Sequence, residues 1–289
     1  MGKEGRMDGR MIDRRALLRI GAGACAGLIL LRHQSASAAP FTSRRIAVTT
    51  RGTGRDVILI AGLASGPSLW SDMMAKLPGY RWHLVHVRGF AGLAADANAS
   101  GPLVQPLADE IARYIKAAGL VRPSVIGHSM GGTLAMKLGL KALAGRIMVV
   151  DMLPEGAAMV GGTARGMGYL ANQLSQYFTG TKAGRAYLAQ IVADSPGAKG
   201  SDPDVIANAL RDLANVDLGP QLGRIAVPME VVYAVGADAA QSAQIARNFR
   251  SAYAAKKDLK LTPIGPSGHV VMADQPTRFS AVVKRFLSS

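Results

Sequence analysis

Cysteine is almost missing from this 289-residue chain: its single copy, Cys25, lies inside a short apolar run near the N-terminus. The chain beyond that run has no thiol with which to form a disulfide. Long apolar stretches are also scarce. The run holding Cys25, residues 20–31, is shorter than the ~20 residues a membrane-spanning helix needs, which argues against a permanent anchor. Acidic residues are few, 19 against 34 Lys and Arg, and the formal net charge is +15. The basic residues are nonetheless scattered, as at Arg81, Arg88, Lys116, Lys137, Arg165, Arg211 and Arg247, with no long run and no aromatic interleaving. That distribution argues against nucleic acid as a partner. Internal repeats and low-complexity tracts are absent, and no His, Cys or carboxylate spacing beyond the leader suggests a ligand set, so no metal or organic cofactor is implied. His83 and His86, three apart on an expected strand, point to opposite faces and cannot share a metal. What the chain does have, 49% hydrophobic residues with 18% charged, is the composition of a globular core.

The first forty residues read as an address. Arg6, Arg10, Arg14, Arg15 and Arg19 precede the apolar run, and Ser35-Ala36-Ser37-Ala38-Ala39 follows it, with Ala36-Ser37-Ala38 as an A-x-A cleavage site. Asp13-Arg14-Arg15-Ala16-Leu17-Leu18-Arg19 resembles the twin-arginine signal, which directs folded proteins across the bacterial inner membrane. Residues 1–38 are therefore expected to be a signal peptide, and the mature protein to be periplasmic or secreted, meeting the membrane only during export. Seven Lys and Arg and three Asp and Glu lie in residues 1–38, which leaves the rest of the chain at +11.

From residue 45 onward, strand and helix signals alternate. Strands are expected at 45–50, 56–60, 82–87, 123–126, 146–151, 228–234 and 259–264, the apolar run at 56–60 being of the kind buried on both faces. Helices are expected near 68–77, 107–115, 134–143, 242–254 and 275–287. Such alternation calls for a mainly parallel, doubly wound sheet covered on both faces, with functional groups in loops at the carboxyl ends of the strands. Between residues 152 and 224 the alternation breaks into helical segments at 164–178, 184–194 and 203–214. An all-helical insertion between two sheet strands is most simply a cap over the site. The core then comprises residues 39–151 and 225–289.

One stretch carries chemistry. Gly127-His128-Ser129-Met130-Gly131 joins an apolar lead to a run of helix formers, the pattern that pushes a serine hydroxyl clear of the backbone on a tight turn, with glycines where chains pack closely. Leu63, Ser129, Asp151, Asp238 and His269 all fall at expected strand ends. Together with Ile58-Leu59-Ile60-Ala61-Gly62-Leu63, Trp70, Arg88-Gly89-Phe90, Gly132, Pro228, Gly268-His269 and Asp274-Gln275-Pro276, these pieces resemble the α/β-hydrolase superfamily over nearly all of residues 45–288.

That resemblance implies an α/β-hydrolase fold with Ser129 as nucleophile, His269 as its base, and the backbone N–H groups of Leu63 and Met130 as the oxyanion hole. Where the superfamily usually has His-Gly, this chain has Ala61-Gly62, which keeps the main-chain donor and loses a bracing side chain. Two residues compete for the acid. Asp151 ends the strand after the nucleophile strand, a position some members use. Asp238 sits near the more usual position, but in Gly236-Ala237-Asp238, one residue short of the Gly-x-x-Asp turn. His128, beside the serine, is expected to line the pocket. The implied activity is hydrolysis of small carboxylic esters through an acyl-serine intermediate. Perhydrolysis, cleavage of a carbon–carbon bond next to a ketone, and a non-catalytic binding role are the alternatives on the same scaffold. The absence of Asp at the elbow disfavours dehalogenase and epoxide-hydrolase chemistry.

Overall fold

Apolar runs of five to eight residues, punctuated by Gly and Pro, become the strands of the computed structural model, which describes residues 1–2, 41–156, 158, 181–184, 186–187, 190 and 198–289. The strands are β1 (Ile46–Arg51), β2 (Arg55–Ile60), β3 (Tyr80–Val87), β4 (Ser124–His128), β5 (Arg146–Val150), β6 (Met229–Ala234) and β7 (Leu259–Ile264). They form one sheet in the order β1-β3-β2-β4-β5-β6-β7. β1 runs antiparallel to β3 and every other pairing is parallel. Parallel neighbours need crossovers, which the helices between strands supply: α1 (Ser71–Lys76), α2 (Val104–Ala117), α3 (Met130–Leu140), α4 (Pro203–Ala214) and α5 (Ala239–Ala252); α6 (Val271–Asp274) and α7 (Pro276–Ser288) follow β7. The segment expected to be helical at 68–77 opens as a 3₁₀ turn over Pro67–Trp70 before α1 begins.

The central strands explain why the sequence reads as continuous apolar runs instead of alternation. In β2, Val57 and Leu59 pack on one face with Trp70, Met73, Phe279 and Val283, while Ile58 and Ile60 pack on the other with Leu107, Ile111, Leu134 and Leu138. All four β2 residues are fully buried, each stabilising the fold by roughly 1.5–3 kcal/mol relative to exposure. α2 shows the helical counterpart: Val104, Leu107, Ala108, Ile111 and Ile115 recur at three- and four-residue spacing and are buried along one face.

Part of the expected cap is anchored to this core. α4 begins at Pro203 and is N-capped by Asp202, whose carboxylate accepts from the N–H groups of Asp204 and Val205. From within α4, Asp212 Oδ2 accepts from the Leu103 and Val104 N–H groups at 2.9 and 2.6 Å. α2 has no cap of its own, so a carboxylate 108 residues further along meets its orphan donors and its positive end. The signal segment expected at 1–38, apart from Met1 and Gly2, lies outside the described residues. So do the helix expected at 164–178 and most of that expected at 184–194.

Candidate active site

The turn between β4 and α3 is shaped by two glycines. A Cβ on Gly127 would come 2.0 Å from the Gly131 carbonyl oxygen, and one on Gly131 would come 2.2 Å from that of Ile60. Only hydrogen fits at either position, which lets α3 start directly against the ends of β4 and β2. Ser129, caught between them, has φ +52° and ψ −123°, a conformation that costs a non-glycine residue on the order of 1–3 kcal/mol. Its N–H donates to Val150 O at 2.9 Å, and its carbonyl accepts from Gly132 N at 2.7 Å as the helix begins. The side chain therefore stands at the carboxyl edge of the sheet, half-buried, at the N-terminus of α3. There the first N–H groups of the helix, Met130 foremost, have no intrahelical acceptor.

Asp151 comes to the same level because the register of β4 and β5 pairs His128 with Val150, so residues 129 and 151 leave adjacent strands side by side. Asp151 also has positive φ, +48°. Its carboxylate is buried and doubly engaged. Oδ1 accepts from Ala234 N at 2.9 Å, and Oδ2 accepts from His269 Nδ1 at 2.7 Å. With Nδ1–H pointed at the carboxylate, the imidazole is left with Nε2 as a lone-pair acceptor. The His269 side chain is 45% exposed against 10% for Asp151, so the ring is open to solvent while its carboxylate partner is buried.

The loop carrying His269 is held from below. Asp274 Oδ2 accepts from Gly268 N at 2.7 Å and from the Ser267 hydroxyl at 3.2 Å, and Gln275 Nε2 donates to Pro266 O at 2.7 Å. Asp238 is placed elsewhere. It N-caps α5, accepting from Gln241 N at 2.6 Å, and is exposed. Of the two carboxylates that compete in the sequence, the structure brings Asp151 to His269 and uses Asp238 to start a helix.

Opposite Ser129 lies the loop after β2. Ser65 N–H donates to Gly62 O at 3.2 Å, closing a turn whose third residue, Ala64, has φ +58°. In a trans peptide the N–H points away from the C=O, so the Leu63 N–H faces out of this turn. Gly62 sits against the elbow: a Cβ there would lie 3.0 Å from Ser129 Cβ and 2.9 Å from His128 Nδ1.

His128 departs from its expected place. It is buried, not pocket-lining, at 3% exposure. Its Nε2–H donates to the carbonyl oxygen of His269 at 2.9 Å, and the two rings lie 4.7 Å apart between centroids. Nδ1 is buried without a hydrogen-bond partner. Burial first, and the neighbouring His269 second, push the His128 imidazole from 6.5 down to about 4. As pH falls below the unfolded-state value, the unfolded chain takes up a proton that the folded chain refuses until about pH 4, so stability present above pH 6.5 is lost across that window. A shift of this size corresponds to about 3 kcal/mol. Urea unfolding of the wild type should lose this increment between about pH 7 and pH 4, and His128→Asn should not; equal pH slopes in the two proteins would contradict the assignment.

His83 and His86 serve the scaffold. His83 Nε2 lies 2.8 Å from Asp56 Oδ1 and its Nδ1 lies 2.5 Å from the Tyr114 hydroxyl, while His86 Nε2–H donates to Phe90 O at 2.8 Å. Among the described residues no group of three or more His, Cys, Asp or Glu side chains converges as a metal-binding set.

Residues 57–282 match the family described as the alpha/beta hydrolase family. The chain is 29% identical over 206 residues to a pimeloyl-[acyl-carrier protein] methyl ester esterase of Photobacterium profundum, an alignment that covers 64% of this chain and 77% of that protein. Among solved structures it is similar to an esterase from Exiguobacterium antarcticum, with a TM-score of 0.67 and 18% identity over 84% of this chain and 96% of the other. It is also similar to the enol-lactonase of Burkholderia xenovorans, with a TM-score of 0.61 and 19% identity over 84% and 96%.

Proposed function

The chain belongs to the alpha/beta hydrolase family and is a hydrolase, and from that premise we propose that it cleaves carboxylic esters through an acyl intermediate on Ser129. The observation that carries this reading is the Asp151–His269 pair at 2.7 Å, seated at the same sheet edge as the serine turn. In the reaction, Ser129 Oγ attacks the ester carbonyl carbon as its proton passes to His269 Nε2. Asp151 holds the ring in the required tautomer and offsets the imidazolium charge. The oxygen that becomes negative lies between the N–H groups of Leu63 and Met130, each such donor being worth about 3–4 kcal/mol to the transition state. His269 then returns the proton to the leaving alkoxide, which departs as the alcohol. Water repeats the sequence on the acyl-serine, releasing the acid and restoring the hydroxyl.

In this reading residues 152–224 form a cap over the serine, and its apolar side chains, with Met159, Met167, Leu170, Leu174 and Phe178 among them, favour apolar acyl groups. A panel of methyl and aryl esters with acyl chains of increasing length, assayed on the mature protein, tests this. The expected result is a kcat/KM that rises with chain length and then levels off. Turnover of no ester, alongside turnover of peroxide-dependent or dienone substrates, would overturn the reading.

We infer also that the enzyme acts outside the cytoplasm, because residues 1–38 combine a paired-arginine motif, a short apolar run and an A-x-A site. Replacing Arg14 and Arg15 together by Lys should retain the uncleaved precursor in the cytoplasm of a bacterial host. Undiminished export of the double variant would refute the twin-arginine route.

A further inference from the structure

A buried serine far from the elbow in sequence is wired to the loop that faces it. Ser201 lies just before α4, at the trailing end of the segment inserted between β5 and β6, and is 7% exposed. Its hydroxyl donates to Ala64 O at 2.9 Å and accepts from Ala91 N at 2.7 Å. The hydroxyl's one donor and one of its two lone pairs are thus spent on main chain, one on each of two loops that neither neighbour Ser201 in sequence nor share a strand with it. The surrounding backbone is drawn into the same knot. Gly92 N–H donates to Gly200 O at 3.2 Å and Asp202 N–H to Gly89 O at 2.7 Å. A Cβ on Gly200 would come 3.1 Å from Gly92 Cα, and one on Gly66 would come 2.8 Å from Ala91 Cβ.

Ala64 is the residue of the Gly62–Ser65 turn that bears the unfavourable positive φ, so this turn is not one its own sequence prefers. An external bond to the Ala64 carbonyl supplies what the local sequence does not. The turn in turn fixes the plane of the Gly62–Leu63 peptide, whose N–H is the donor assigned to the developing oxyanion. We propose that Ser201 is a positioning residue for the oxyanion hole, clamping the Ala64 turn so that the Leu63 N–H keeps its aim and coupling the seat of the inserted segment to transition-state stabilisation. This inference rests on the ester-hydrolase reading of the site. Ser201 touches neither substrate nor reacting atoms, and its effect is carried through the main chain.

Ser201→Ala separates this role from a merely structural one. The variant should lose kcat by about 10- to 100-fold, the scale of a small misplacement of a catalytic group, with KM within about twofold of the wild type. Affinity for a trifluoromethyl ketone, which forms a hemiketal with the serine and presents an oxyanion, should fall by the same factor as kcat. Affinity for the matching methyl ketone, which binds without that charge, should hold. If Ser201→Ala does not fold, Ser201→Cys keeps a similar volume with a weaker donor, and it should show the same pattern with a smaller loss. Wild-type kcat and trifluoromethyl ketone affinity in a folded variant would overturn the proposal, as would equal losses for both ketones. A wild type that neither turns over esters nor binds the trifluoromethyl ketone would remove the ester-hydrolase reading itself, and this inference with it.

Discussion

Ser129→Ala should lower kcat for ester hydrolysis by about 10⁶-fold, because a nucleophile and its base act as a unit and loss of either removes nearly all that the unit supplies. The fold should survive. Ser129 is half-buried, its N–H and C=O bonds to Val150 and Gly132 are main chain, and alanine adds no atom to the turn. Thermal unfolding of the variant should therefore track the wild type while activity falls to the assay floor. Retention of more than about one part in a thousand of kcat would require a different attacking group.

The second large effect distinguishes the two carboxylates. Asp151→Asn should lower kcat by about 10⁴-fold. The geometry gives the reason. One oxygen of Asp151 accepts the Ala234 N–H and the other accepts His269 Nδ1–H. An asparagine at 151 has one oxygen to offer. If it stays on Ala234 N–H, the amide NH₂ faces His269 Nδ1, which must then become an acceptor. The proton moves to Nε2, and the imidazole no longer has the lone pair that the proposed reaction needs to take the Ser129 proton. Asp238→Ala should behave in the opposite way, leaving kcat within about twofold while removing an N-cap worth about 1 kcal/mol, measurable as a lower urea midpoint. A reversal of these two outcomes would transfer the role to Asp238.

These contrasts show where the sequence is readable and where it is not. Period and length were enough for the sheet, because a strand buried on both faces, such as Val57-Ile58-Leu59-Ile60, has almost no other physical reading once turns bracket it. The elbow was readable for a similar reason: its two glycines mark contacts of about 2 Å that no Cβ could survive. The choice between Asp151 and Asp238 was not readable. It depends on the β4–β5 register, which sets residue 151 level with residue 129, and on the loop that brings His269 to it across 118 residues. Asp238 of Gly236-Ala237-Asp238, one residue short of the usual turn, stands four residues past β6 and caps a helix, its Oδ1 accepting from Gln241 N–H. His128 misled in the other direction. Its place beside the serine suggests a wall of the pocket, whereas it is buried with its Nε2–H on the His269 carbonyl, a contact across 141 residues. Ser201 and Asp212 gave no local signal at all, because each acts on main chain more than a hundred residues away. Side chains that bond distant backbone leave no periodicity and no motif.

In the proposed reaction Ser129, activated by His269 and Asp151, is the attacking group of an ester hydrolase. The most direct measurement is reaction of the intact mature protein with an organophosphate, followed by mass spectrometry of the protein and its peptides. One phosphoryl adduct per chain, located on Ser129 and missing from Ser129→Ala, is the predicted result. An unmodified wild type, or an adduct on another residue that persists in Ser129→Ala, would contradict it.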